Sequence, residues 1–435
     1  MKEELKISLG QSASESYFNQ DRLFKYVNQF SFPRLAGTSG EEKAVQLTYD
    51  TFKEIGFIED QIIRRSFKFS DFYSTTLMKL VMTLNLIFNL ILLLFIYIHV
   101  SLTIILLLFM AVVVYLIIKG LKHPETPGFW GEYFGDSITA TNVIAKIPAS
   151  NMPENEAGNL IISAHLDSKS QSINTFLRVI LYKIWLYSGL FLGGIYALYL
   201  IIIFGKLPIS FNITIFGAWI SVGLISFSNL ILLFLNTYNK SPGALDNASG
   251  MAIVFELSSY FIKHPLKRFN MWFCQFSAEE LGTMGSRVFV NDFEQIFAKG
   301  RVFQFNFDMI SCASHKFNRI EYFRSYGLVI RKKSAPLLSK YLLHAAKNEK
   351  ISVKGLHLST GAHTDTVPFH LRNYNAIDIT TGAASLYTHT VKDTPEKVDC
   401  NILFNTCRLL RETISMIDID YKILCENQEI ESEMK

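Results

Sequence analysis

Charge is what this 435-residue sequence has least of. Only 18% of its residues are Asp, Glu, Lys or Arg, against 49% hydrophobic, where soluble globular chains carry about 25% charge. That shortage excludes a disordered chain and a nucleic-acid-coating protein, both of which need dense charge. The net charge is only +4, so no nucleic-acid partner is expected. Cysteine is sparse too. Cys274, Cys312, Cys400, Cys407 and Cys425 are an odd number with no regular spacing, which excludes a disulfide scaffold and suits a reducing compartment. No apolar stretch adjoins the polar start Met1-Lys2-Glu3-Glu4-Leu5-Lys6, so no cleavable signal is expected. There is no internal repeat and no low-complexity tract.

The missing charge is concentrated. Residues 80–118, 184–204 and 214–235 hold none of the four charged residue types. The remaining residues are about 23% charged, an ordinary soluble value. A bilayer-spanning helix needs about 20 apolar residues. The first run fits two short helices, 80–98 and 102–118, with a turn at His99-Val100-Ser101. The other two are separated by the helix-breaking Gly205-Lys206-Leu207-Pro208. The expectation is two transmembrane helical hairpins, about four spans, over 77–119 and 176–236. They interrupt a globular domain made of 21–76, 120–175 and 237–419, between a mobile start at 1–20 and a polar tail at 420–435. The lipid bilayer is thus an expected partner.

Hairpins put all long hydrophilic segments on one side. Arg64, Arg65, Lys68, Lys79, Lys119, Lys122, Arg178, Lys183 and Lys240 flank the runs there, while the far-side connections hold only Lys206. The positive-inside rule assigns the globular domain to the cytoplasm, with an extracytoplasmic placement as the alternative.

In the polar part, Ser39 and Glu42 have capping-box spacing. Val45, Tyr49, Phe52 and Ile55 share one helical face, and Gly56 ends it. Strand-like runs at 140–146, 160–164, 271–276, 302–307 and 376–380 alternate with helical runs such as 251–264 and 334–346. This pattern predicts an α/β fold, a mixed and mostly parallel sheet covered by helices.

Ligands gather at the carboxyl ends of strands in such sheets. There stand His165-Leu166-Asp167-Ser168, Ser277-Ala278-Glu279-Glu280 and Asp308, with Asp246 ahead of a helix and His389 late in the chain. Each alone has a plain structural reading, as a hydrogen-bonded His, a solvated helix start or an N-cap. Together they supply the His and carboxylate donors of a hard or borderline divalent metal. Two His and three carboxylates exceed the three protein ligands of a single catalytic zinc. They suit two metals sharing a bridging carboxylate. One of Glu279 and Glu280 then remains as general base.

The segments Pro33-Arg34-Leu35-Ala36-Gly37, Thr141-Asn142-Val143, His165-Leu166-Asp167-Ser168, Gly243 to Gly250, Ala278-Glu279-Glu280-Leu281-Gly282 and His389-Thr390 with Asp393-Thr394 resemble the co-catalytic zinc aminopeptidases. That group includes bacterial leucyl aminopeptidases, glutaminyl-peptide cyclases and multispanning endoplasmic-reticulum metallopeptidases. The resemblance covers about 25–400 and implies the zinc aminopeptidase-like fold with two zinc ions per chain. It makes Asp246 the bridge, His165 and Asp308 the remaining ligands of one zinc, and Glu280 and His389 those of the other. Glu279 would be the general base, with Asp167 orienting His165 and Asp393 in a similar supporting part. Two departures stand out. Thr366 replaces a His of the family's pocket loop at 361–369, and 81 positions separate His165 from Asp246, filled by the second hairpin. The function implied is a membrane-anchored aminopeptidase acting on peptides with a free N-terminus. The alternatives are a cyclase acting on N-terminal glutamine and an inactive hydrolase domain in a membrane complex.

Overall fold

The computed structural model describes residues 17–120, 124–125, 135–206, 211–297, 301–313, 319–327, 331–358, 364–421 and 424. The expected mobile start and polar tail lie almost wholly outside the described residues, as do Lys122, Leu207, Pro208, Cys425 and 361–363 of the pocket loop.

Every strand expected from the sequence forms, with ends moved by a few residues. In chain order they are β1 (Ile62–Ser70), β2 (Ser137–Ile147), β3 (Gly158–His165), β4 (Ser170–Gln171), β5 (Thr237–Tyr238), β6 (Phe269–Phe276), β7 (Val302–Phe307), β8 (Ile320–Tyr326), β9 (Lys332–Lys333), β10 (Val353–Leu358) and β11 (Asn375–Thr380). The main sheet runs β1-β2-β6-β3-β7-β11-β8-β10, with β9 on β8, while β4 and β5 form a separate ribbon. Its centre, β6-β3-β7-β11, is parallel. Antiparallel β1 and β2 extend one side. The sheet is therefore mixed with a parallel core, as expected.

Period-two side-chain alternation explains why helices cover both faces. Leu160, Ile162 and Ala164 of β3 join Met271 and Phe273 of β6 in the larger core. Ile161, Trp272, Cys274 and Phe276 point the other way, into a smaller core. The larger one is closed by α1 (Gln20–Phe30), α2 (Ser39–Ile55) and helices later in the chain.

The outer strands β1, β8 and β10, of which β1 and β10 form the two edges, were not anticipated. Edge strands carry charges that blur the apolar alternation. Arg64 and Arg65, read as membrane-flanking, sit on β1. Arg65 pairs with Asp292 at 2.6 Å and Arg64 lies over the Tyr49 ring. The α2 start also differs. Thr38 is the N-cap, without a side-chain cap. Glu41 turns inward to accept from the N–H groups of Gly37 and Thr141 and from the Ser277 hydroxyl. It ties the α2 start to the strand ends, and Gly56 ends the helix in the left-handed region as expected. The buried face is shifted to Ala44, Thr48, Thr51 and Phe52, because small residues let the helix approach the sheet.

Four apolar helices interrupt this domain: α3 (Thr76–Ile98), α4 (Val100–Gly120), α5 (Thr175–Gly205) and α6 (Phe211–Leu233). The turn expected around residues 99–101 falls at His99, which ends α3. Lys206 ends α5 in the left-handed region. By length and composition three of the four are long and apolar enough to cross a membrane, and the apolar stretch Ser101–Ile117 is shorter. Leu92, Ile96, Leu192, Tyr196, Ala218 and Val222 pack inward between the helices. Leu94, Ile105, Phe109, Phe191, Phe216 and Trp219 are exposed on the outside, an inverted polarity that water does not favour.

One polar knot joins three of these helices. The Asn85 side-chain oxygen accepts from Trp185 Nε1 at 3.0 Å, Asn229 Nδ2 at 2.8 Å and Asn89 Nδ2 at 2.9 Å. Interhelical bonds in apolar surroundings are each worth about 0.6 kcal/mol, at most about 2. Asn85→Leu should therefore destabilise the detergent-solubilised protein by about 1–2 kcal/mol, read from the denaturation midpoint. An unchanged midpoint would mean that the knot adds no stability.

Candidate metal centre

The carboxyl ends of the parallel strands bring the sequence-predicted residues together. His165 ends β3, Glu279 and Glu280 follow β6, and Asp308 follows β7. Asp246 lies in the turn ahead of α7 (Ser249–Phe261), and His389 follows β11 through the short helix Gly382–Leu386. All are buried.

Two groups could hold a metal ion: His165 with Asp246 and Asp308, and Asp246 with Glu280 and His389. Asp246 belongs to both. Its Oδ1 lies 3.1 Å from His165 Nε2 and its Oδ2 3.1 Å from His389 Nε2. His165 Nε2 is 3.6 Å from Asp308 Oδ1, and His389 Nε2 is 3.0 Å from Glu280 Oε2. Glu279 is outside both groups, with Oε2 4.0 Å from His165 Nε2.

The donor chemistry fits cations. His165 Nδ1 faces the Asp167 carbonyl oxygen at 3.1 Å. A carbonyl only accepts, so Nδ1 carries a proton. The buried Nε2 makes no well-formed hydrogen bond and faces carboxylate oxygens. Only a proton or a metal ion on Nε2 reconciles that arrangement. The wider charge balance agrees. Asp167, Asp246, Glu279, Glu280, Asp308, Asp365 and Asp393 are all buried, with Arg34, Lys169 and, toward Asp365, Arg287 among the nearby cations.

The carboxylates respond differently. Burial pushes Glu279 well above the usual range, with Asp308, Glu280 and Asp365 adding to it against the pull of His165. Burial likewise pushes Asp308 to about 6, and Asp365 and Asp393 to about 7. For Asp246, burial is outweighed by its close pairing with the His165 and His389 imidazoles, which holds it well below the usual value. Burial and Asp246 act to raise Glu280, but His389 and Lys169 hold it at about 2. Burial opposes charge on His165, yet the facing carboxylates of Asp167, Asp246 and Asp308 raise it well above normal.

The surrounding residues hold the donors in place. Asp167 accepts from the backbone N–H groups of Glu279 and Glu280, both at 3.2 Å. Its carboxylate is 3.5 Å from His165 Nδ1, so it orients the Glu pair more directly than the imidazole. Asp393, expected in a similar supporting part, accepts from Leu245 N–H at 2.6 Å and Asp246 N–H at 3.1 Å. It braces the backbone at Asp246. Asn142 accepts from Ser277 N–H and donates to the Gly285 carbonyl, fixing the loop that carries the two Glu residues. Gly243 has φ +63°, and a Cβ there would meet the Asp246 carbonyl oxygen at 2.6 Å. Thr366, where the resemblance expects His, donates to Asp378 at 2.7 Å.

Three contributors escaped the sequence reading. Lys169 reaches Glu280 Oε2 at 2.9 Å. Thr175 lies 3.0 Å from His389 Nδ1. Arg34, noted only within a motif, is fully buried and donates to the carbonyls of Leu166, Phe32, Pro242 and Gly243. It thus grips the segments bearing His165 and Asp246. No local pattern announces these partners, which lie 2 to 214 positions away.

Comparisons with known proteins agree with the resemblance to co-catalytic zinc aminopeptidases. Residues 231–414 match the profile described as Peptidase family M28. Aminopeptidase YwaD of Bacillus subtilis (strain 168) is 29% identical over 165 residues, 36% of this chain and 34% of that protein. The chain therefore matches about a third of the length of this curated relative. An aminopeptidase from Aneurinibacillus sp. strain AM-1 has a similar structure, with TM-score 0.53, 13% identity, and 92% and 93% of the two chains covered. A glutaminyl cyclase from an Acidobacteriales bacterium gives TM-score 0.51 at 16% identity, covering 92% and 95%. At these identities the structural likeness shows the fold alone.

Replacing Arg34 by Met should strand several buried carbonyls and remove a cation from an acid-rich interior. The expected loss is about 3–5 kcal/mol of stability, measured by denaturant unfolding. A loss under about 1 kcal/mol would mean the carbonyls find other donors.

Proposed function

We propose that this chain, whose residues 231–414 carry the Peptidase family M28 pattern, is a membrane-anchored zinc metallopeptidase. Its activity in this reading is that of an aminopeptidase with two zinc ions per chain, taking peptides with a free N-terminus. The observation that carries the reading is the pair of metal-holding groups sharing Asp246. His165 and Asp308 complete one site, and Glu280 and His389 the other. The mixed imidazole and carboxylate donors suit zinc.

Bound there, two zinc ions would act as Lewis acids, polarising the scissile carbonyl and acidifying water. Glu279 belongs to neither donor group yet lies beside His165, free to take a proton from the attacking water. Burial raises its proton affinity, so it can hold that proton and deliver it to the leaving amine. Asp167 fixes the backbone of both Glu residues, which keeps the neighbouring side chains in separate roles. The acidic surroundings favour the substrate's ammonium group.

The apolar helices anchor this domain. In the reading, 77–119 and 176–236 cross the bilayer as hairpins, and 21–76, 120–175 and 237–419 form the catalytic domain on the cytoplasmic side. The exposed apolar flanks of these helices support insertion.

Purified full-length protein should contain close to two zinc ions per chain. It should release N-terminal residues from a peptide library, and a zinc chelator should abolish this. A folded protein without metal, or one that yields only cyclised N-termini with loss of ammonia, would overturn the reading. Glu279→Gln should keep its metals while turnover falls by roughly 10²–10⁴-fold, followed by steady-state kinetics and metal analysis. Full activity in that variant would remove Glu279 from the base role.

A further inference from the structure

The two donor groups are held by different parts of the molecule. His165 and Asp308 rest on the central sheet. The His165 ring is set by Asp167 two residues on, and Asp308 N–H donates to the Ile379 carbonyl of neighbouring β11. Glu280 and His389 are instead gripped by the short stretch between β3 and α5. Lys169 contacts Glu280 through its backbone N–H at 3.2 Å and its ammonium group at 2.9 Å. Gln171 N–H donates to the His389 carbonyl at 2.9 Å. This restrains a residue whose backbone is left-handed, with φ 62°, a conformation disfavoured outside glycine.

The last contact comes from the apolar helix itself. Thr175 is the first residue of α5, and its hydroxyl lies 3.0 Å from His389 Nδ1. Asn174 caps that helix, accepting from Leu177 N–H at 2.8 Å, so the backbone at Thr175 is fixed. Once His389 Nε2 ligates a cation, the ring proton must sit on Nδ1. The Thr175 hydroxyl is then the acceptor within reach. Its own proton points to the Thr388 carbonyl at 3.4 Å. A partner on the distal nitrogen fixes both the tautomer and the rotation of a metal-binding imidazole. Here that partner is supplied by the apolar helix.

We propose that Thr175 is a positioning residue for His389, so that the apolar helix α5 helps to hold one of the two metal sites and not the other. The proposal rests on the two-metal reading above. It makes the sites unequal in a defined way, because loss of the Thr175 hydroxyl weakens only the site containing Glu280 and His389.

The test is zinc binding by the full-length protein in detergent, titrated against a chromophoric chelator. Thermal unfolding of each variant is recorded alongside. Wild type should bind two ions. Thr175→Val, nearly isosteric, should keep the first ion at wild-type affinity and bind the second about 10–100-fold more weakly. Thr175→Ser should restore the second affinity to within about threefold, since the hydroxyl alone is required. Equal second-site affinity in Thr175→Val and wild type overturns the proposal, as does a Ser variant as weak as Val. Should the Val variant not fold, Thr175→Ala against Thr175→Ser gives the same comparison. A wild type that binds fewer than two ions overturns the two-metal reading itself, a result visible before any variant is made.

Discussion

Asp246 sends one carboxylate oxygen toward His165 and the other toward His389, and most of the surrounding structure serves to keep it there. A buried carboxylate shared between two imidazoles is stable only where its backbone cannot turn and its charge is answered. Asp393 holds the peptide N–H groups at Leu245 and Asp246. Gly243 supplies the tight bend before them. Arg34 pulls the Pro242 and Gly243 carbonyls toward the segment that carries His165. Buried carboxyl groups outnumber the cations beside them, and in the two-metal reading bound metal ions would answer that excess.

The same geometry explains the tolerance for large insertions. The sheet and the Arg34 contacts secure the donors on the strand ends, so additional chain can leave between β3 and Asp246 without disturbing Asp246 or Asp308. The β4–β5 ribbon closes the base of that insertion, pairing Ser170 with Tyr238 and Gln171 with Thr237. The excursion of more than sixty residues thus begins and ends at one point beside the metal centre.

Much of this was legible from the sequence. The parallel core could be read because its strands are short apolar runs ending in polar residues, as in 302–307 followed by Asp308. His165, Glu280 and Asp308 could be placed together by the rule that strand ends converge, whereas Asp246 and His389 joined them through the family resemblance. What could not be read depends on partners distant in sequence. Thr175 looks like the boundary residue of an apolar helix until the fold places it against His389. Lys169 looks like a solvated lysine until it meets Glu280. Strand β10 is partly exposed along its length, which leaves no alternation to detect. The Ser39–Glu42 spacing suggested a cap, but the acid one position earlier, Glu41, is recruited by Thr141 and Ser277 instead.

Helix α5 has 31 residues, about 46 Å of α-helix, against about 30 Å of hydrocarbon in a bilayer. Its first nine residues, which include Arg178 and Lys183, precede the charge-free run. In the arrangement proposed above, with that run spanning the hydrocarbon, these nine would form a stalk about 13 Å tall. A peptide emerging from the lipid would then need about four extended residues to reach the metal centre. In the proposed membrane-anchored arrangement that height would act as a ruler: shorter tails would stop below the centre, and longer ones would arrive with slack.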